Sequence, residues 1–197
     1  MNPGEPRRFS IADALILIAG LAAGFGLLRM AAQGISPGMI WEALVRPQGE
    51  WSVKYAFEVI LELSEFLVIP FAAAWTPACL LVQVTGPRPR WRRLRRRPGF
   101  VACLIASSVT LATMAVGATC AWLSLWPAGR RPDDLIRVNI LGGLLAGSGV
   151  LGGWAAMSLC GVVRPSPTWT DRLGRLTGAV WIALGAISAV YLFLVIG

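Results

Sequence analysis

Three carboxylates, Glu58, Glu62 and Glu65, stand at i, i+4 and i+7, the spacing that puts side chains on one face of a helix. At about 100° per residue, Thr76 and Gln83 extend the same stripe through the apolar run that follows. Inside a membrane such a stripe must face other helices or water, because lipid offers no hydrogen-bond partner. The chemistry it suits is the movement of a cation or proton. Glu65 would lie deepest, and Arg29, near the same boundary, could serve as its counter-charge. The residues also fit a second placement. If only 66–84 crosses the membrane, the carboxylates form a solvated helix start, where the helix dipole favours acids.

Other chemistry finds little support. The chain has no His, and its four cysteines, Cys79, Cys103, Cys120 and Cys160, form no C-x-x-C pair, which removes the common zinc patterns. They read as small, buried, inert thiols. Ser148 lies between glycines, as does the nucleophile of intramembrane serine proteases, but that dyad needs a His base. There is no phosphate-cradling loop, hydrolase elbow or metal cluster. The expectation is a protein that is not an enzyme and takes no cofactor or metal.

The elements that carry these residues are apolar. The chain is 56% hydrophobic and 14% charged, with a mean hydropathy of +0.65, well beyond the needs of a soluble domain of 197 residues. Five runs, 11–32, 57–84, 100–126, 135–163 and 174–196, are long enough to span hydrocarbon about 30 Å thick. Ser10-Ile-Ala-Asp13 has the spacing of a capping box at the start of the first. Pro70 and Pro77 interrupt the second on one face, and Pro87, Pro89 and Pro98 bar helix from the flanks of the loop at 86–99. Asp133 and Asp134 open the fourth, and a Pro-rich turn from Arg164 to Asp171 precedes the fifth.

That loop fixes the orientation. Arg88, Arg90, Arg92, Arg93, Arg95, Arg96 and Arg97 are seven of the eighteen basic residues, in a chain of net charge +8. One Arg at mid-bilayer costs about 2.5–3.5 kcal/mol on insertion scales, so the stretch stays on the cytoplasmic side. Five crossings then place the N-terminal tail and the 164–175 turn beside it. Twelve basic residues fall inside against four in the outer loops, as the positive-inside rule requires. The arginines adjoin apolar runs, which points to anionic lipid headgroups rather than nucleic acid. An acidic cytoplasmic partner that docks around Trp91 is the sharper alternative.

The fourth run is rich in glycine. Gly143/Gly147 and Gly149/Gly153 are both G-x-x-x-G pairs, which let helix backbones approach closely, either within the bundle or between copies of the chain. Two further stretches, Arg7-Arg8-Phe-Ser-Ile-Ala-Asp-Ala-Leu-Ile-Leu-Ile-Ala19 and Pro87-Arg-Pro-Arg-Trp-Arg-Arg-Leu-Arg-Arg-Arg-Pro-Gly-Phe100, resemble parts of uncharacterised multi-pass membrane proteins of planctomycete bacteria. The resemblance covers under a fifth of the chain. It implies a bacterial inner-membrane protein and brings no catalytic residues with it.

The reading as a whole is an all-α bundle of five transmembrane helices, N-terminus cytoplasmic and C-terminus outside. Its role is that of a structural or accessory membrane subunit, with a membrane-protein partner or a homo-oligomer as its company. A small transporter or channel that uses the carboxylate stripe is the alternative.

Overall fold

The computed structural model describes residues 9–33, 68–85, 94–122, 132–161 and 168–196. They form five α-helices in chain order: α1 (Ile11–Gln33), α2 (Ile69–Val84), α3 (Pro98–Trp122), α4 (Pro132–Leu159) and α5 (Trp169–Ile196). The fold is all-α, and no strand occurs among the described residues. In α1, α3, α4 and α5 the apolar stretch is long enough to cross a membrane. The described part of α2 has 16 residues, about 24 Å at 1.5 Å per residue.

Local chemistry sets most of the helix ends. At the start of α1 the Ser10 N–H donates to Asp13 Oδ2 (3.1 Å) and the Asp13 N–H to Ser10 Oγ (3.2 Å), a closed capping box. Pro98, expected to keep helix out of the loop's flank, is instead the first residue of α3. There its missing N–H costs nothing and its fixed φ suits the helix. Pro70 likewise falls in the first turn of α2 and breaks nothing, which leaves Pro77 as the interior proline. α4 begins at Pro132 and ends at Leu159, four residues before the expected 163, and Gly161 just beyond it adopts φ +61°, a left-handed backbone that glycine tolerates. α5 begins at Trp169, not 174, so Asp171 is helical and not part of the preceding turn.

α2, α3, α4 and α5 form a four-helix bundle, with α3 and α5 packed together along its middle and α2 and α4 on either side. α1 lies outside and packs mainly on α2. Gly20 of α1 abuts Ala78, and Gly24 sits against the Phe71 ring. Small residues set these distances. The core is Ile69, Ala72, Ala102, Ala106, Ala146, Val150, Leu184 and Trp181, the last being the largest fully buried side chain. Alanines let the backbones close in, and one indole fills the centre.

The outer surface is apolar. Leu15, Ile18 and Phe25 on α1, Leu111 and Val116 on α3, Leu141, Leu145 and Leu151 on α4, and Leu176 and Val190 on α5 are all exposed. A water-soluble domain does not leave so much contiguous apolar surface uncovered, whereas a bilayer covers it.

Candidate functional site

The polar groups of the bundle converge on a seam between α2, α3 and α5. α2 and α5 run antiparallel, and their facing residues can be read in order. A Cβ on Gly174 would stand 2.7 Å from Gln83 Nε2. One turn further, Thr177 Oγ1 shares its one proton between the Leu173 carbonyl (3.1 Å) and Cys79 Sγ (3.7 Å). One turn beyond that, Trp181 Nε1 donates to Thr76 Oγ1 (2.8 Å), which in turn donates to the Ala72 carbonyl (2.6 Å). α3 closes the third side, where Gln83 Nε2 donates to Cys103 Sγ at 3.6 Å. The stripe that sequence spacing assigned to Thr76 and Gln83 therefore faces the interior, and both residues are buried.

At the seam's end an acid joins two helix starts. Asp171 is fully buried in the first turn of α5. Its Oδ1 accepts the Gly99 N–H in the first turn of α3 (3.1 Å), and its Oδ2 accepts Arg175 Nε (2.9 Å). Arg175 Nη2 lies 2.7 Å from the same oxygen yet makes no aligned hydrogen bond. One carboxylate thus meets the positive ends of two parallel helix dipoles and one guanidinium. The contact requires glycine: a Cβ at position 99 would run into the Asp171 carbonyl, and one at 174 would stand 2.6 Å from the Gly99 carbonyl oxygen. Trp154 Nε1 completes this end by donating to the Pro98 carbonyl (3.0 Å), and Phe9 packs on Trp169 with ring centroids 5.1 Å apart. The starts of α1, α3 and α5 and the ends of α2 and α4 consequently share one end of the bundle.

Not every buried polar atom is satisfied. Gln83 Oε1, Ser107 Oγ and Trp169 Nε1 have no hydrogen-bond partner. Gln83 and Ser107 are 2% and 4% exposed, so neither atom turns to the outside.

The residues singled out from sequence fare unevenly. Glu58, Glu62 and Glu65 lie outside the described residues, as do Arg88, Arg90, Arg92 and Arg93. Arg29 is exposed near the end of α1. Arg95 and Arg96 are exposed and Arg97 half-buried, just before α3. The glycine pairs lie on two different faces of α4. Gly143 and Gly147 meet α5: a Cβ on Gly143 would stand 3.0 Å from Ser188 Oγ, and one on Gly147 would stand 2.5 Å from the Trp181 carbonyl oxygen. Gly149 and Gly153 meet Ile105 of α3. Cys79 and Cys103 are buried, but Cys160, also expected inside, is exposed in the turn after α4.

Asp171 and Trp181 were missed in the sequence. Thr168-x-x-Asp171 repeats the spacing of Ser10-x-x-Asp13, and Asp171 stands four residues before Arg175, so a helix start was there to be read. The carboxylate's use by a neighbouring helix was not. Among the described residues no three His, Cys, Asp or Glu side chains come together. The seam offers hydroxyls, an amide, two thiols and an indole N–H, a set that forms hydrogen bonds and holds small polar species. The chain matches no protein-family model, no curated protein and no solved structure.

Proposed function

We propose that the chain is a multi-pass integral membrane protein that serves as a non-enzymatic structural or accessory subunit. The observation that carries this reading is the inversion of polarity. Large apolar side chains cover the outside, while Thr76, Gln83, Asp171 and Thr177 are buried and hydrogen-bonded between helices. In this reading the end that carries Arg95, Arg96, Arg97, Arg172 and Arg175 faces the cytoplasm of a bacterium and rests on the anionic headgroups of its inner membrane. The four loop arginines before it extend the same contact. The partner is another membrane protein or a second copy of the chain.

Native mass spectrometry of the protein extracted with its surrounding lipid tests the reading. A stoichiometric partner or a homo-oligomer supports it; a lone chain in every lipid composition contradicts it. A second reading, a small transporter or channel, draws on Thr76 and Gln83, because they continue into the interior the face on which sequence spacing places Glu65, Glu62 and Glu58. Loss of a measured cation or proton flux in the Glu62→Gln/Glu65→Gln protein would favour it.

A further inference from the structure

Gln83 and Cys79 are one turn apart on α2, and Cys103 and Ser107 are one turn apart on α3. The two helices run in opposite directions and are joined by the Gln83–Cys103 hydrogen bond. Moving from Gln83 to Cys79 and from Cys103 to Ser107 therefore leads the same way, deeper into the bundle. By helical spacing the four side chains lie on the facing sides of α2 and α3, with Gln83 opposite Cys103, and Cys79 and Ser107 one turn further in. α5 closes the side of this polar patch with Gly174, which leaves room for the Gln83 amide, and with Thr177, whose hydroxyl is bonded to Cys79.

Two members of this patch carry the unpartnered atoms, Gln83 Oε1 and Ser107 Oγ. Turning the Gln83 amide over does not help. The carbonyl oxygen would then accept from the Cys103 thiol and the NH₂ would be left over. Ser107 has a similar difficulty. Its neighbour Thr110 donates to the Ser107 backbone carbonyl, not to its hydroxyl. Buried polar groups left without a partner are rare and are commonly satisfied by an internal water with two to four polar neighbours. The patch supplies that number: an amide, a hydroxyl and two thiol sulfurs that already accept hydrogen bonds. Gln83 is the second-to-last residue of α2, so the patch lies close to the end of the bundle that carries Arg97 and Arg175.

We propose that Gln83, Ser107, Cys79 and Cys103 enclose a hydration site inside the bundle, filled by water that exchanges through the arginine-bearing end. The site stands whether the protein is an accessory subunit or a transporter. Its ligand is water, and its place near the end of α2 puts it at the arginine-bearing end of any polar route that the carboxylate stripe would begin.

The two native thiols report on it directly. The S–H stretching band of cysteine falls in a region free of other protein bands, and it converts to S–D when the thiol meets D₂O. The full chain in lipid vesicles, with Cys120→Ala and Cys160→Ala substitutions to leave only Cys79 and Cys103, is transferred to D₂O and followed by infrared spectroscopy. Both bands should convert within minutes. Gln83→Leu, which removes the polar wall nearest the entrance, should slow conversion about tenfold or more. S–H bands that persist for hours in the Gln83-containing chain would overturn the proposal, as would a rate that Gln83→Leu leaves unchanged. If Gln83→Leu fails to fold, seen as lost helical dichroism, Ser107→Ala decides: slowed conversion supports the site, and an unaltered rate overturns it.

Discussion

At the scale of single residues, Asp171 governs more of the bundle than its surroundings in the sequence suggest. It holds the first turn of α3 through Gly99 and the side chain of Arg175 at once, while fully buried. Removing it leaves an uncapped helix start and a half-buried guanidinium without its partner. Asp171→Ala should therefore cost about 2 kcal/mol, read as a lowered midpoint when the purified protein is unfolded in mixed micelles. Arg175→Met should cost less, under about 1 kcal/mol, because that side chain is 39% exposed and solvent or headgroups can take over part of its role. Trp181 makes a different contribution. Its indole fills the centre and its N–H reaches Thr76 across the seam. Trp181→Phe retains most of the volume and loses the hydrogen bond, for an expected loss of about 0.6–1.7 kcal/mol in the same assay.

At the scale of helices, the glycines of α4 separate contacts that sequence alone leaves merged. A Cβ on Gly147 would meet backbone atoms of Trp181 and Gly185 at 2.5–2.8 Å, and backbone cannot move aside. Gly147→Leu should open the α4–α5 contact and give an aggregated or unstable preparation on size exclusion. Gly152, one position from Gly153, has nothing within 4 Å, so Gly152→Leu should stay within about 0.5 kcal/mol of the parent. The fold class and the five helices among the described residues were legible because a long apolar run has few alternatives. The capping box at Ser10–Asp13 was legible because it is local, and the inward face of Thr76 and Gln83 because helical period fixes it. The orientation of each glycine pair was not legible, since period gives a face but not the helix that lies against it. Pro98 was misread because proline both breaks a helix and begins one, and the sequence shows only that a boundary is near. The carboxylates Glu58, Glu62 and Glu65, which spacing assigns to the same stripe, lie outside the described residues.

At the scale of the whole molecule, the starts of α1, α3 and α5 share an end with the exposed Cys160 and with the arginines that flank Gly99 and Asp171. If that end is cytoplasmic, a membrane-impermeant maleimide should label Cys160 in inside-out vesicles and leave it unlabelled in intact spheroplasts. The reverse pattern would invert the proposed orientation. The bond from Gly99 to Asp171 also spans 72 residues of chain, and that from Trp181 to Thr76 spans 105. During synthesis α3 must therefore enter the membrane before the residue that caps it exists, and α2 before the donor that satisfies Thr76. These two bonds form only once α5 arrives. A ribosome that stalls before position 171 would release a chain whose inner helices are inserted but not yet joined. Such a chain, with α2 and α3 still lacking their bonds to α5, would be a ready substrate for membrane proteases.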